Sequence, residues 1–577
     1  MRNKYYLVEK ATMRCLVDTV SKKYGKTLAI SKYGDALSEV SYRQLAHRVR
    51  SVSAFLLENG MKQGDKIMIA GESGPHWVIA YLGITYVGMS AVTVLPNFSS
   101  DEMKKIVEHS QVKMIFVTSP NLGKIVHCGL PIVRLDDFVA IPSSSINPEA
   151  MYNTAEALKM PGLPVSTIIP TKKTETQINQ IEIEEDDVAS IIYTSGTTGT
   201  PKGVMLTHRN LIWNADACSK PFIHLKRGWR ILSILPLAHV YEFTVGLILP
   251  LLEGCSITYL GKAPSVSSLM PALKDVRPRV LLSVPLLIEK IYNKAVAPQV
   301  NGNPKIKRLL GIPLINRFVY HAINHKLISS LGSKLKFFGV GGAPLDLQVE
   351  KFLDRAGFPY ALGYGLTETS PFIAGCGPKD HKVGTLGKVL PGVKVRLDPE
   401  TGEIQTKSPS VMKGYYRNDE LTRECRTEDG WFCTGDTGLF RKKRLVLSGR
   451  IKDMILTSNG ENIFPEAIEN IMNHQEFVQE SLIIPENGGL LALIKLDMDT
   501  FAANLKMDIN DARKEALKYI QKLRENVNNQ LSSSSKISGV EIQEGPLERT
   551  PTMKIKRLAI IKKRQESNQQ NNDQDQH

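Results

Sequence analysis

The chain has 577 residues, 42% of them hydrophobic, which is enough for two or more domains with real cores. Its formal charge of +15 suits a polyanionic small ligand, an acidic membrane surface or simply a basic solvated face. No basic run is long enough for a nucleic-acid arm, and no zinc-finger or RNA-binding signature occurs, which excludes nucleic acid as a partner.

The start, Met1 to Lys10, is polar and mixed in charge, unlike a signal peptide. Helical spacing covers Tyr42–Glu58, and Lys66–Ala70 is a short β-rich run. Trp77–Leu95 is nearly uncharged and long enough to mimic a membrane span. Gly83, Gly88 and Ser90 interrupt it and Pro96 ends it, so we read a helix, Trp77–Val87, followed by a buried strand, Ala91–Leu95. Met114–Val117 is the next strand, and residues 141–186 are an irregular, proline-containing excursion ending in the acidic run Glu182–Asp187. Strands are then predicted at Ala189–Ile192, Arg230–Leu235, Ser256–Leu260, Val280–Val284 and Leu335–Val340, with a helix at Leu286–Ala295. Such alternation implies layered α/β subdomains.

Past Arg450 the pattern changes. Asp453–Thr457, Ser481–Ile484 and Leu490–Leu496 read as strands, the last two joined through Asn487-Gly488-Gly489. A helix capped near Asn510 carries the apolar stripe Ala516, Leu517, Ile520, Leu523 and Val527. The expected division is a large α/β part, residues 1–451, a small α+β lid, 452–565, and a Gln/Asn/Asp-rich disordered tail, 566–577. Seven scattered cysteines with no CxxC spacing point to a reducing, cytoplasmic compartment and away from disulfides or a cysteine metal site.

The densest chemistry follows the strand at Ala189–Ile192: Tyr193-Thr194-Ser195-Gly196-Thr197-Thr198-Gly199-Thr200-Pro201-Lys202-Gly203. Glycines let successive amides approach one anion, hydroxyls add donors and Lys202 adds a mobile charge. At about 4 Å from a phosphate oxygen that charge is worth roughly 4 kcal/mol at an effective dielectric near 20. It is not a Walker loop, because Pro201 separates Thr200 from the lysine and Gly203 stands where a magnesium-binding hydroxyl would be. Further motifs follow in order: Leu235-Pro236-Leu237-Ala238-His239-Val240-Tyr241-Glu242, Gly339-Val340-Gly341-Gly342-Ala343-Pro344 and Gly363-Tyr364-Gly365-Leu366-Thr367-Glu368-Thr369. Then come Thr434-Gly435-Asp436, Ser448-Gly449-Arg450-Ile451-Lys452-Asp453, Ser458-Asn459-Gly460-Glu461 and Thr550-Pro551-Thr552-Met553-Lys554-Ile555-Lys556.

This ordered set resembles the adenylate-forming superfamily, and the LPLAH and Thr-Pro-Thr-x-Lys forms look like its long-chain acyl-CoA synthetases. The resemblance implies roles. Thr194 to Gly199 with Lys202 cradle the phosphates of ATP, and His239 lies beside the acid's carboxylate as a hydrogen-bonding or gating group. Gly341, Gly342 and Ala343 leave a slot for a base or an acyl chain. Tyr364 and Gly365 face adenine, Thr367 donates to the α-phosphate and Glu368 holds Mg²⁺. Asp436 and Arg450 take the ribose hydroxyls, Lys452 is the hinge, Gly460 lines the thiol path and Lys554 bridges carboxylate and α-phosphate. Lys556 is the rival for that last role, and Met553 stands where glycine is commoner. The implied activity is ATP-dependent conversion of a long-chain fatty acid to acyl-AMP and then to a thioester of CoA. An acyl carrier protein as acceptor, a medium-chain or aryl acid, and a non-catalytic sensor are the alternatives.

Overall fold

The structure is a computed structural model. It describes residues 7–142, 150–153, 156, 158–165, 168–194, 201–219, 221–301, 303–313, 315–456, 462–486, 488–532, 535–549 and 555–574.

The N-terminal part is built on two large mixed sheets, each of nine strands among the described residues. The first contains β1 (Lys66–Ala70), β2 (Ser90–Val94), β3 (Met114–Val117), β4 (Val188–Thr194) and β5 (Lys202–Thr207), in the order β5-β4-β2-β1-β3. All these neighbours are parallel except the hairpin β4–β5. β2 is buried along its whole length, as a strand covered by helices on both faces must be. The second contains β6 (Arg230–Ser233), β7 (Ser256–Tyr259), β8 (Val280–Ser283), β9 (Phe337–Val340), β10 (Tyr360–Gly365) and β11 (Phe372–Gly375). They run in the order β11-β10-β9-β8-β6-β7, parallel but for β10–β11. A smaller antiparallel sheet ends in the hairpin β12 (Phe432–Arg441) and β13 (Arg444–Arg450).

Helix α1 (Tyr42–Glu58) begins at a capping box between Ser41 and Gln44. Its neighbour α2 (Pro75–Thr85) is the helical half of the stretch that mimics a membrane span. Every residue of α2 except His76 is buried, so it is apolar all round because protein surrounds it. Trp77 and Tyr81 stack at 5.7 Å, and Tyr81 meets Phe243 at 4.4 Å, joining α2 to the second sheet's helices. Among the described residues, no helix is long and apolar enough to cross a membrane. Further on are α3 (His208–Ser219), α4 (Pro304–Leu310), α5 (Ile315–Ser330) and α6 (Leu347–Ala356).

The C-terminal part packs α7 (Pro465–Asn473) and α8 (Ile509–Asn528) around β14 (Val478–Glu486), β15 (Gly489–Leu496) and β16 (Ile537–Ile542), with α9 (Arg557–Gln574) at the end. Large N-terminal and small C-terminal parts are therefore both present, as the sequence indicated.

Four expectations change. The excursion 141–186 contains a regular helix, Lys172–Gln180, capped by Thr171. The strand expected at Asp453–Thr457 shrinks to Ile455–Leu456, because Ile451–Asp453 closes into a 3₁₀ turn; Thr457 is outside the described residues. Leu517 faces solvent (57% exposed), and Ala512 takes its place in the buried stripe of α8, one turn before Ala516. The tail expected to be disordered from residue 566 is helical as far as Gln574. Ile560 and Ile561 seat the start of α9 against a small apolar cluster with Leu482 and Leu493, and the Lys, Arg, Gln and Glu that follow are good helix formers.

Candidate active site

The signature stretch spans the turn of the β4–β5 hairpin. Thr194 closes β4 and pairs directly with Lys202, which opens β5. Ser195, Gly196, Thr197, Thr198 and Gly199 lie outside the described residues. Lys202 extends over the ring of Tyr415 at 5.8 Å. Burial pushes its ammonium down, nearby Lys452 pushes it further, and Glu368 and Glu424 oppose both. Lys202, Glu368 and Lys452 therefore share one field. A Cβ on Gly203 would meet Ile191, Tyr193 and Tyr416 at 2.9 to 3.3 Å, so the hairpin stem is closed to side chains there.

Thr367 and Glu368 ride on a single 3₁₀ turn, Thr367–Thr369, between β10 and β11. Gly365 is required by packing: a Cβ there would sit 1.7 Å from the Pro371 carbonyl oxygen. The turn is clamped from behind by Asn214 of α3, which is fully buried. Its Nδ2 donates to the Phe372 carbonyl at 2.9 Å, and its Oδ1 accepts from the Phe372 amide at 3.2 Å. The Glu368 carbonyl accepts from the Met412 amide at 2.8 Å, and its Oε1 accepts from the Tyr415 hydroxyl at 2.8 Å. No hydrogen bond to Oε2 is found among the described residues. A fixed carboxylate with one committed oxygen beside a lysine fits a magnesium ion that takes its other ligands from phosphate and water.

The other end of the site is a triad in which Tyr364 and Asp436 are buried and Arg450 is partly exposed. Asp436 of β12 and Arg450 of β13 stand opposite each other in the hairpin. Arg450 Nε lies 3.0 Å from Asp436 Oδ1, and the Tyr364 hydroxyl donates to Oδ2 at 3.0 Å. Asp436 is only 3% exposed. Burial and then the Asp436 charge push the Tyr364 hydroxyl well up, so it stays protonated and donates. For Arg450, burial lowers the guanidinium but Asp436 and Glu466 more than offset it.

Gly341 and Gly342 follow β9, and Gly342 has φ +87°, a conformation that favours glycine. The Gly341 amide donates to the Ser283 carbonyl at 3.2 Å. Tyr241 covers the glycines: a Cβ on Gly341 would meet its ring at 3.2 Å, and one on Gly339 its hydroxyl at 2.7 Å. Ala343 continues the same turn. Beside them lies a narrow apolar crevice, lined by Phe222, Tyr241, Val245, Leu362 and Phe372 among others. His239 is half-buried at the turn before this helical segment, with Nδ1 3.4 Å from the Tyr241 amide. The following Glu242 is wholly buried; burial pushes it up to about 8, with the Ser233 hydroxyl at 2.6 Å working against that.

Gly460 and Lys554 lie outside the described residues, but their flanks are placed. Arg549 and Ile555, on either side of residues 550–554, form an antiparallel bridge. Arg557 is buried against Glu469 of α7, at 2.5 and 3.0 Å, and donates to the Ile483 carbonyl at 2.6 Å. Lys556 is paired with Glu548 at 3.0 Å. The C-terminal part also meets the N-terminal part through an ion pair between His474 and Asp346, the residue that caps α6.

The structure thus groups Tyr364, Asp436 and Arg450, and separately Lys202, Glu368 and Lys452, with Gly365 and Thr367 on the chain between the groups. Sequence reasoning missed Asn214, Tyr415 and the Arg557–Glu469 pair. Asn214 and Tyr415 sit in no motif, and their partners are 158 and 47 residues away.

Known proteins share the sequence pattern and the fold of this chain. Residues 17–416 match the AMP-binding enzyme family and residues 452–568 match the AMP-binding enzyme C-terminal domain. The peroxisomal long chain acyl-CoA synthetase 6 of Arabidopsis thaliana is 31% identical, over 80% of this chain and 69% of that protein. The chloroplastic long-chain-fatty-acid–[acyl-carrier-protein] ligase AEE15 of the same plant is 28% identical over 95% of this chain and 84% of its own. In fold, the chain superposes on the o-succinylbenzoate CoA synthetase of Bacillus subtilis, solved with ATP and magnesium ion, with a TM-score of 0.68 and 20% identity, covering 94% and 98% of the two chains. With more than half its length matched, the chain belongs to the AMP-binding enzyme family.

Proposed function

We propose that this chain activates a long-chain fatty acid with ATP, releasing pyrophosphate, and passes the acyl group from AMP to a thiol, giving a thioester and AMP. The observation that carries this is the two-ended site. Asp436, held by Tyr364 and Arg450, offers a nucleoside end, and Glu368 with Lys202 offers a phosphate end.

A carboxylate is a poor electrophile, since its leaving group would be oxide. Attack of the acid's oxygen on the α-phosphorus makes a mixed anhydride and turns that oxygen into part of a good leaving group, AMP. Lys202, the signature hydroxyls, Thr367 and Lys554 meet the charge that builds on the phosphate. Magnesium, when bound at Glu368, neutralises phosphate charge. Lys556 is already paired with Glu548, which favours Lys554 as the lysine that reaches the substrate. A turn of the lid about Lys452 then withdraws Lys554 and brings Gly460 to the thiol path. His239 borders the acid's carboxylate, and the acyl chain runs toward Tyr241 and Gly341–Ala343.

CoA is the favoured thiol. The likeness to an acyl-carrier-protein ligase favours a carrier protein as the second reading. A reducing, cytoplasmic setting, which seven unpaired cysteines suit, and contact with an acidic membrane belong to the same proposal. The test is AMP release across saturated acids from about four to twenty carbons, with benzoate and a cinnamate, offering CoA and carrier protein in parallel. Each buried methylene is worth about 0.8 kcal/mol, or roughly fourfold, so kcat/KM rises with chain length to an optimum near about sixteen carbons. An optimum at about eight carbons or fewer, or on an aromatic acid, overturns the long-chain assignment.

A further inference from the structure

Between Glu289 and Asp346 the chain contains no Asp or Glu, yet it holds nine Lys and Arg residues. That stretch, a minor fraction of the length, supplies a charge equal to more than half of the net +15. It leaves the second sheet after β8 and returns to it at β9, the strand that ends in Gly341 and Gly342. Its outermost elements are α4 and α5, which pack on each other and are joined through Gly311-Ile312-Pro313.

The inward face of α5 is spent on the fold. Leu327 is buried with Val349 and Leu353, and Tyr320 meets Phe352 of α6 at 5.8 Å. At about 100° per residue, Phe318 lies half a turn away from Leu327. It is 77% exposed, the most exposed phenylalanine described. Leu309, Ile312 and Ile315 stand out beside it, at 39 to 41% exposed. Lys305, Arg308 and Arg317 are interleaved with these side chains and pair with no carboxylate among the described residues.

We propose that the α4–α5 tip docks on an anionic lipid surface, with Phe318, Ile315, Ile312 and Leu309 entering the interface and Lys305, Arg308 and Arg317 against the headgroups. Exposed apolar residues about a helix–helix connection, interleaved with cations that pair with no carboxylate among the described residues, are what a soft, negatively charged, partly apolar surface accepts. The proposal names where the acidic membrane contact is made, and it stands whichever acid or thiol the enzyme uses.

The test is flotation of the whole purified protein with vesicles of phosphatidylcholine alone or with about one third phosphatidylglycerol. Binding is expected only to the anionic vesicles and weakens as salt rises. Phe318→Ser lowers the partition coefficient at least about tenfold, and Lys305→Gln with Arg308→Gln lowers it about twenty-fivefold, near fivefold for each charge. ATP–pyrophosphate exchange with a short soluble acid stays unchanged in every variant, which shows that the fold and the site are intact. Equal binding to neutral vesicles, or no change in Phe318→Ser, overturns the proposal. So does a loss of activity toward an acidic carrier protein in these variants with vesicle binding unaltered, because the tip is then a protein dock.

Discussion

Replacing Asn214 with alanine isolates the clamp behind the Thr367–Glu368 turn. Asn214 is fully buried, so water does not reach its partners. The variant leaves the Phe372 carbonyl and amide without the bonds they make at 2.9 and 3.2 Å. Each unsatisfied buried group costs about 1–3 kcal/mol, so the expected loss of stability is about 2–6 kcal/mol. The turn also loses its fixed position, and a displacement of about 1 Å costs about 10²-fold in rate. ATP–pyrophosphate exchange should therefore fall about 10²-fold in kcat, with the KM for ATP moving less than about threefold, since Tyr364, Asp436 and Arg450 are untouched. Asn528→Ala is the control. Asn528 makes the same pair of bonds, to the amide and carbonyl of Ile537 at 2.8 and 3.0 Å, within the C-terminal part. It is half-buried, so its loss is smaller, about 1 kcal/mol, and exchange stays within about twofold. Denaturant unfolding and exchange kinetics give both readouts. A stability loss below about 1 kcal/mol in Asn214→Ala, or equal kinetic defects in the two variants, would refute the positioning role.

Tyr415→Phe removes the hydroxyl that orients Glu368, and a hydrogen bond to a charged group is worth about 1.5–3 kcal/mol; the magnesium concentration for half-maximal exchange should rise about tenfold, and an unchanged value would remove Tyr415 from the site. Arg557→Met strands the buried Glu469 carboxylate and should cost about 3–5 kcal/mol in unfolding, recovered in large part by Glu469→Leu in the same chain. Asp346 pushes His474 up; Asp346 itself is pushed up by burial but lowered overall by His474 and the amides of Val349 and Gln348. The contact between the two parts is thus at full strength below about pH 6.5, the free imidazole value, and is lost as pH rises through the raised one. Limited proteolysis near Lys452 should quicken from about pH 6 to 8, and His474→Ala should abolish that dependence; a persistent slope would place the titration elsewhere. Lys554→Ala should stop adenylation by several orders of magnitude while thioester formation from ready-made acyl-adenylate survives; equal loss in both would transfer the role to Lys556.

The sequence by itself determined the class of fold and the order of the site's parts. Short apolar runs such as Lys66–Ala70 and Met114–Val117 became strands at those residues, because a buried parallel strand needs little beyond β-rich apolar side chains and a break on either side. Gly365, Tyr364, Glu368, Asp436 and Arg450 were picked out through motifs that resemble the adenylate-forming superfamily, and the structure brings Tyr364, Asp436 and Arg450 together. Tertiary structure alone decided what holds them. Asn214, Tyr415 and Glu469 act on partners 158, 47 and 88 residues away, and such separations carry no periodicity to read. The exposure of Phe318 was settled the same way. Its apolar character was plain in the chain, but which face of α5 the fold would spend on Phe352 and Leu353 depended on where α6 lay. The same reason moved Leu517 out of the α8 stripe and Ala512 into it. A helical stripe fixes spacing, and only the surface packed against it chooses the phase.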